Sequence, residues 1–406
     1  MKASDRPDIR ARPGMQLALA TWVSVVNFWA WNLVGPLAMT RTMREMELDS
    51  SQVSLMVATP ILAGALGRLV VGPLTDRFGG RAMFTAVSLA TVLPVLGVGF
   101  AEAAENYPLI LTAGFFLGVG GTVFAVGIPF ANNWYEPARR GFATGVFGMG
   151  MAGTAVSAFF TPRMVRSIGL LETHFIVAGA LVATAALCLA VMHNGPNFRP
   201  NTAAVLPKLK AAGRLRVTWE MSFLYAVLFG GFVAFSNYLP TYIHNIYGFS
   251  PVQAGSRTAA FALAAVLARP VGGALADRFA PKYVVLGSLA GVAALAVEAM
   301  FKPPRDIWSA ETFIVLAVAL GIGTGGVFGW VTRRAPAGSL GAVTGIVSAA
   351  GGLGGYFPPI VMGATYDPVR NDYTVGLLLL VATAVVAAGY TALRLHAHEP
   401  PRAAMG

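Results

Sequence analysis

Ala65-Leu66-Gly67-Arg68-Leu69-Val70-Val71-Gly72-Pro73-Leu74-Thr75-Asp76-Arg77-Phe78 returns 201 residues later as Val266-Leu267-Ala268-Arg269-Pro270-Val271-Gly272-Gly273-Ala274-Leu275-Ala276-Asp277-Arg278-Phe279. Both stretches read Arg-x3-Gly-x3-Asp-Arg-Phe, and both close a long apolar run. A charge in hydrocarbon is costly and faces a bundle interior or a watery cavity when it occurs. Two such cations at matched depth therefore point to a binding site for an anion.

The surrounding composition is that of an integral membrane protein. Of 406 residues, 56% are hydrophobic and 12% charged, with a mean hydropathy of +0.65, well outside the range of ordinary soluble domains. Runs of about 20 apolar residues, enough to cross about 30 Å of hydrocarbon as a helix, recur at 15–38, 51–75, 82–102, 107–134, 140–163, 173–193, 217–244, 251–276, 282–301, 310–332, 339–364 and 374–394. The expected fold is all-α with twelve transmembrane helices. The polar first 14 residues lead into a full-length apolar run without a small-residue cleavage site, which reads as a retained helix and not a signal peptide. Cys188 is the only cysteine, so no intrachain disulfide can form.

A net charge of +11 raises the possibility of a nucleic-acid partner, but the distribution of the cations argues against one. With both termini in the cytoplasm, 19 of the 29 Lys and Arg lie on that side, including Arg77, Arg81, Arg139, Arg140, Arg278 and Arg333. The opposite face holds 8, including Arg163, Arg257 and Arg370, and 2 remain within the membrane. This is the positive-inside bias, and it predicts a multi-pass protein of the inner (plasma) membrane with both ends inside.

Other pairs share nearly the same offset. Gly141-Phe142-Ala143-Thr144-Gly145-Val146 matches Gly341-Ala342-Val343-Thr344-Gly345-Ile346, and Gly118-Val119-Gly120-Gly121 resembles Gly323-Thr324-Gly325-Gly326. An internal duplication follows: residues 1–193 form one six-helix half, 217–406 the other, and 194–216, with Pro196, Pro200, Pro207, Lys208, Lys210, Arg214 and Arg216, a cytoplasmic linker with a short basic surface helix. Parallel halves with a midplane site between them are a transporter plan.

Asp76 marks a helix end, and Arg68 lies eight residues earlier, about 12 Å deeper at the helical rise. Gly64, Arg68 and Gly72 share one face, as do Ala265, Arg269 and Gly273. The alternative is that each arginine pairs with a buried carboxylate or caps helix carbonyls. Against it, Glu102, Glu220 and Glu298, the acids placed within a helix, all lie near an end, while Asp76 and Asp277 sit at helix mouths. Arginine's planar fork of donors suits a small trigonal oxyanion. Phe28, Phe124, Phe229, Phe232 and other aromatics are equally compatible with lipid contact or packing, and glycines at four-residue spacing with close helix contact.

By these motifs the chain resembles the major facilitator superfamily. Gly72-Pro73-Leu74-Thr75-Asp76-Arg77-Phe78-Gly79-Gly80-Arg81 looks like its signature loop between helices 2 and 3, with an equivalent at residues 273–279. Arg68 and Arg269, the run Gly145-x2-Gly148-Met149-Gly150-x2-Gly153, and Gly351-Gly352-Leu353-Gly354-Gly355-Tyr356-Phe357-Pro358-Pro359 are similar to the nitrate/nitrite porter branch. That resemblance implies a nitrate or nitrite ion gripped by Arg68 and Arg269 and sandwiched by aromatics, here Tyr225 and Phe229, with Phe28 and Phe124 as further candidates. It also implies flexing glycine helices, represented by Gly145, Gly150, Gly351 and Gly354, and a cytoplasmic latch at Asp76, Arg77, Asp277 and Arg278. Two departures stand out: the family's Gly-Asn is Gly150-Met151, and its Gly-Gly-Asn-Phe is Gly120-Gly121-Thr122-Val123, which removes two amides expected to touch the ion.

The expected function is secondary transport of a small inorganic anion, nitrate/nitrite exchange by alternating access, in a monomer needing no cofactor and no metal. Without an ion, two cations should repel across a low-dielectric cavity and disfavour occlusion, so an empty carrier crosses slowly. The absence of a buried acid or histidine agrees, with His174, His193, His244, His396 and His398 near helix ends. Three rivals remain: a proton-coupled symporter of nitrate or a short carboxylate, a drug or metabolite exporter, and an anion sensor. No nucleophile elbow, phosphate loop or metal-ligand cluster marks an enzyme.

Overall fold

A computed structural model describes residues 12–38, 46–136, 140–196, 198–200, 205–303, 307–336 and 340–395. Among the described residues, twelve helices are long and apolar enough to span a bilayer: α1 (Pro13–Leu37), α2 (Ser50–Phe78), α3 (Gly80–Ala103), α4 (Tyr107–Ala131), α5 (Ala143–Ile168), α6 (Leu170–Val191), α7 (Arg216–Tyr247), α8 (Pro251–Arg278), α9 (Pro281–Met300), α10 (Glu311–Val331), α11 (Ala342–Ala364) and α12 (Thr374–Arg394). Each overlaps one of the expected runs. The described residues contain no named strand, only an isolated bridge between Asp367 and Asp372. Between α6 and α7 a nine-residue helix, Val205–Gly213, packs on α11.

The repeat is visible in local chemistry. α2 starts at a capping box in which Asp49 and Gln52 satisfy each other's backbone amides, and α8 starts at the same device built from Ser250 and Gln253. Within each half, glycines bring backbones together. An added Cβ on Gly118 of α4 would lie 2.5 Å from the Pro60 carbonyl of α2, and one on Gly325 of α10 would lie 2.8 Å from the Gly273 amide of α8. This close approach carries α4 and α10 alongside the two arginine helices.

The halves meet unevenly along their seam. At the face where α1 ends and α2 begins, contact is tight: a side chain on Gly35 would meet Asn237 of α7, one on Gly255 would meet Ala158 and Pro162 of α5, and one on Gly363 would meet Ser50 and Ser54 of α2. Arg163 of α5 also donates to Ser256 of α8 at 2.6 Å. At the opposite face, which holds Pro13 and Arg394, Gly72, Gly145, Gly148, Gly273 and Gly345 have no atom within 4 Å of an added Cβ. The seam is thus closely packed at one face, while the glycines at the face that carries both ends of the described chain have free space beside them.

Candidate anion-binding site

Arg68 and Arg269 sit near the middle of α2 and α8. Arg68 is 4% exposed. Its Nε donates to the Gly121 carbonyl of α4 at 3.3 Å, and its Nη1 crosses the seam to the Ser348 carbonyl of α11 at 3.2 Å. Arg269 repeats the pattern: Nε donates to Thr324 Oγ1 of α10 at 3.1 Å, while Nη1 crosses the seam to Met151 Sδ of α5 at 2.7 Å. Its Nη2 donates to the Tyr225 hydroxyl at 3.3 Å.

The ring of Phe229 joins the two cations. The Arg68 guanidinium lies 5.9 Å from its centroid and that of Arg269 4.9 Å, both within the range of cation–π attraction. Phe124 approaches Arg68 at 5.5 Å and Phe232 approaches Arg269 at 5.5 Å. Tyr225 stacks on Phe229 at 4.7 Å with 6° between the ring planes. This stack leans on a side-chain-free strip of α11: a Cβ on Gly351 would lie 2.5 Å from Tyr225 Cε1 and 2.9 Å from Phe229 Cδ1, and one on Gly352 would lie 3.4 Å from Arg68 Nη1. Gly354 meets Ala226 of α7 in the same manner.

Each guanidinium carries five donors, and the bonds above engage two on Arg68 and three on Arg269. Every acceptor is neutral. Carbonyl capping, weighed above as the alternative to an anion site, accounts for Arg68's geometry but leaves its charge uncompensated. Two positive charges stand beside one ring in a low-dielectric setting with donors to spare, an arrangement whose chemistry suits a small anion.

Of the expected ligands, Arg68, Arg269, Tyr225, Phe229 and Phe124 are brought together. Phe28 is buried: its ring lies edge-on to Trp31 at 5.4 Å, and its Cβ lies 2.8 Å from an added Cβ on Gly153 of α5. Sequence reasoning missed Met151, Thr324 and the carbonyls of Gly121 and Ser348 as partners of the arginines. Positions 151 and 122 had been noted only as departures from a familiar pattern.

At the face of Pro13 and Arg394, Asp277 Oδ1 lies 4.0 Å from Arg333 Nη2, which also donates to the Asp277 carbonyl at 3.1 Å. Arg77 and Arg278 lie over their neighbours Phe78 and Phe279 at 5.4 and 5.7 Å. Asp76 is exposed at the end of α2. Gly145 has free space beside it, whereas Gly150 is pressed on Ser24 and Thr21 of α1. Arg139, His396 and His398 lie outside the described residues.

One expectation needs correcting. Acids and histidines near helix ends were expected to be unburied, yet Glu102 is 0%, His174 1% and Glu220 5% exposed. Packing explains it, because helix ends inside a bundle are covered by neighbouring helices. Glu220 is held by Arg216 and Arg334, each at 2.7 Å. Glu298 accepts from Thr312 at 2.8 Å. Neither carboxylate oxygen of Glu102 nor Nε2 of His174 has a hydrogen-bond partner.

The chain matches the model of the Major Facilitator Superfamily over residues 20–359. It belongs to the major facilitator superfamily. Among curated relatives of this superfamily member, a Mycobacterium tuberculosis protein named "Probable nitrate/nitrite transporter NarK2" is 72% identical over 95% of this chain and 96% of its own length. A Bacillus subtilis "Nitrite extrusion protein" is 33% identical over 92% of each chain. A Staphylococcus haemolyticus "Probable nitrate transporter NarT" is 32% identical over 92% of this chain and 94% of the relative. Among solved structures, an inward-facing, unoccupied bacterial homologue of the human lysosomal transporter Spinster superposes with a TM-score of 0.68 at 18% identity, covering 95% of this chain and 97% of that one. The likeness shows the superfamily fold.

Proposed function

We propose that this multi-pass membrane protein exchanges nitrate and nitrite by alternating access, as a monomer, with the ion held between Arg68 and Arg269. One observation carries the reading: two guanidiniums meet on Phe229 with neutral acceptors only, leaving charge and donors for an oxyanion. The names of the relatives supply the identity of the anion. With both termini in the cytoplasm, as the cation bias directs, the face of Pro13 and Arg394 is the inward one, and closing it would bring the glycine-lined ends of α2, α5, α8 and α11 together.

Nitrate uptake into proteoliposomes loaded with nitrite, or with no anion, tests exchange at zero and imposed pH gradient. Uptake that needs internal nitrite and ignores the gradient supports it. A lack of nitrate flux overturns the substrate reading and leaves the fold standing.

Glu102 favours a second reading, proton-coupled import. It is a fully buried carboxyl, neither of whose oxygens has a hydrogen-bond partner, so packing alone gives it no role. Uptake driven by the pH gradient and lost in Glu102→Gln would select this reading over exchange.

A further inference from the structure

Each arginine divides its bonds in the same way. Nε stays within its own half, at Gly121 for Arg68 and Thr324 for Arg269. Nη1 goes to the other half, at the Ser348 carbonyl for Arg68 and the Met151 sulfur for Arg269. The groups that would grip the anion are therefore also straps across the seam, tied to neutral acceptors.

Met151 is set in place from two directions. It lies in the 3-10 turn Met149–Ala152, where Thr154 Oγ1 donates to its carbonyl at 2.9 Å. Its neighbour Gly150 is held so closely on α1 that an added Cβ would lie 2.6 Å from Ser24 Oγ and 3.0 Å from the Thr21 carbonyl. The side chain is fully buried, directed at α8, and its only polar atom is the sulfur on Arg269. A thioether is a weak acceptor, and an oxyanion forms the stronger, charge-assisted bond with the same donor.

We propose that Met151 competes with the anion for Arg269: its sulfur takes the Nη1 donor, tying α5 to α8, and gives up that donor to a bound anion. The inference rests on the reading that the anion binds between the arginines. Its consequence is that residue 151 sets the anion's affinity by competition, without needing to touch the ion. A stronger acceptor at this position would grip Arg269 and make the ion harder to load. An apolar side chain of the same volume would free the donor.

The test is calorimetric titration of nitrate into the purified full-length protein, as wild type, Met151→Leu and Met151→Gln, with melting temperature recorded for each. Leucine keeps the volume and removes the acceptor, so nitrate should bind about threefold more tightly; glutamine keeps the length and supplies an amide oxygen, so binding should weaken about tenfold. Opposite shifts support the competition. Equal weakening in both variants would mean that Met151 is packing alone, and no shift in either would mean that its sulfur does not compete; either result overturns the proposal. If leucine lowers the melting temperature so far that the protein is lost, the glutamine variant decides alone, since wild-type affinity in a folded Met151→Gln protein also overturns it. An absence of nitrate heat in the wild type sinks the anion site itself, an outcome distinct from failure of the competition.

Discussion

A methyl group added at Gly351 tests whether the Tyr225–Phe229 stack sets the geometry of the arginines. That Cβ would lie 2.5 Å from Tyr225 Cε1 and 2.9 Å from Phe229 Cδ1. Carbon atoms rest at about 3.5–4.0 Å, so the rings must retreat by about 1 Å. The Tyr225 hydroxyl to Arg269 Nη2 bond is already 3.3 Å, beyond the usual limit of about 3.2 Å, and a retreat of this size breaks it. A hydrogen bond to a charged group is worth about 1.5–3 kcal/mol. Because Phe229 also carries both guanidiniums, Gly351→Ala should weaken nitrate binding by roughly tenfold or more. Overpacking should cost a further 1–3 kcal/mol or so of stability. Gly345→Ala is the matched control: it lies on the same helix with no atom within 4 Å. Alanine outdoes glycine in a helix by about 0.5–1 kcal/mol, so the control should melt slightly higher and bind nitrate as the wild type does. Calorimetric titration beside thermal unfolding reads both effects. Wild-type affinity in Gly351→Ala would refute the reasoning, since the rings would then have yielded without disturbing the cations.

Lysine at position 68 or 269 cannot satisfy separate acceptors at Nε and Nη while gripping an oxyanion, so nitrate flux in proteoliposomes should fall roughly a hundredfold in either variant, with the fold retained. Thr324→Val removes the Nε acceptor of Arg269 at near-constant volume; a loss of about 1 kcal/mol should raise the KM for nitrate roughly fivefold. Arg334→Ala leaves the buried Glu220 with only Arg216, whose side chain is 76% exposed. Thermal unfolding should report a loss of about 3–5 kcal/mol, largely recovered when Glu220→Gln is added. In the loop before α12, burial tends to raise the Asp372 carboxyl, but hydrogen bonds from Thr374 and Lys302 and the Lys302 charge bring it below its ordinary value. A depressed carboxyl stabilises above its unfolded pKa and loses that contribution as pH falls through its folded value, so the melting temperatures of wild type and Asp372→Asn should differ near neutrality and converge in acid, once the folded carboxyl is itself protonated.

The fold was legible because it depends on features a one-dimensional pattern records. Apolar run length gives the spans, and the 201-residue echo of Arg68 in Arg269 gives the two halves. The same echo located the cations, whereas Tyr225 and Phe229 were singled out only through the resemblance to the nitrate/nitrite porters. The acceptors were not legible. Met151 and Ser348 reach the arginines only because α5 faces α8 and α11 faces α2 across the seam, and no periodicity within a helix encodes its partner in the other half. Phe28 illustrates a further limit: an aromatic on the first helix fits the sequence pattern equally well whether it faces the cavity or a neighbouring helix. Glu102 was misjudged because nearness to a helix end was read as nearness to water, whereas α3 packs along α6 through Gly99 against His174.

The close packing at the far face is made largely from main chain, with Gly35 on Asn237, Gly255 on Ala158 and Gly363 on Ser50. Freezing a long side chain costs up to about 2 kcal/mol of rotamer entropy, whereas glycine has none to lose. Parting and rejoining these surfaces therefore releases and recaptures little conformational freedom. In the proposed rocking cycle the barrier would then depend on a few polar straps and on how readily water enters the parting seam.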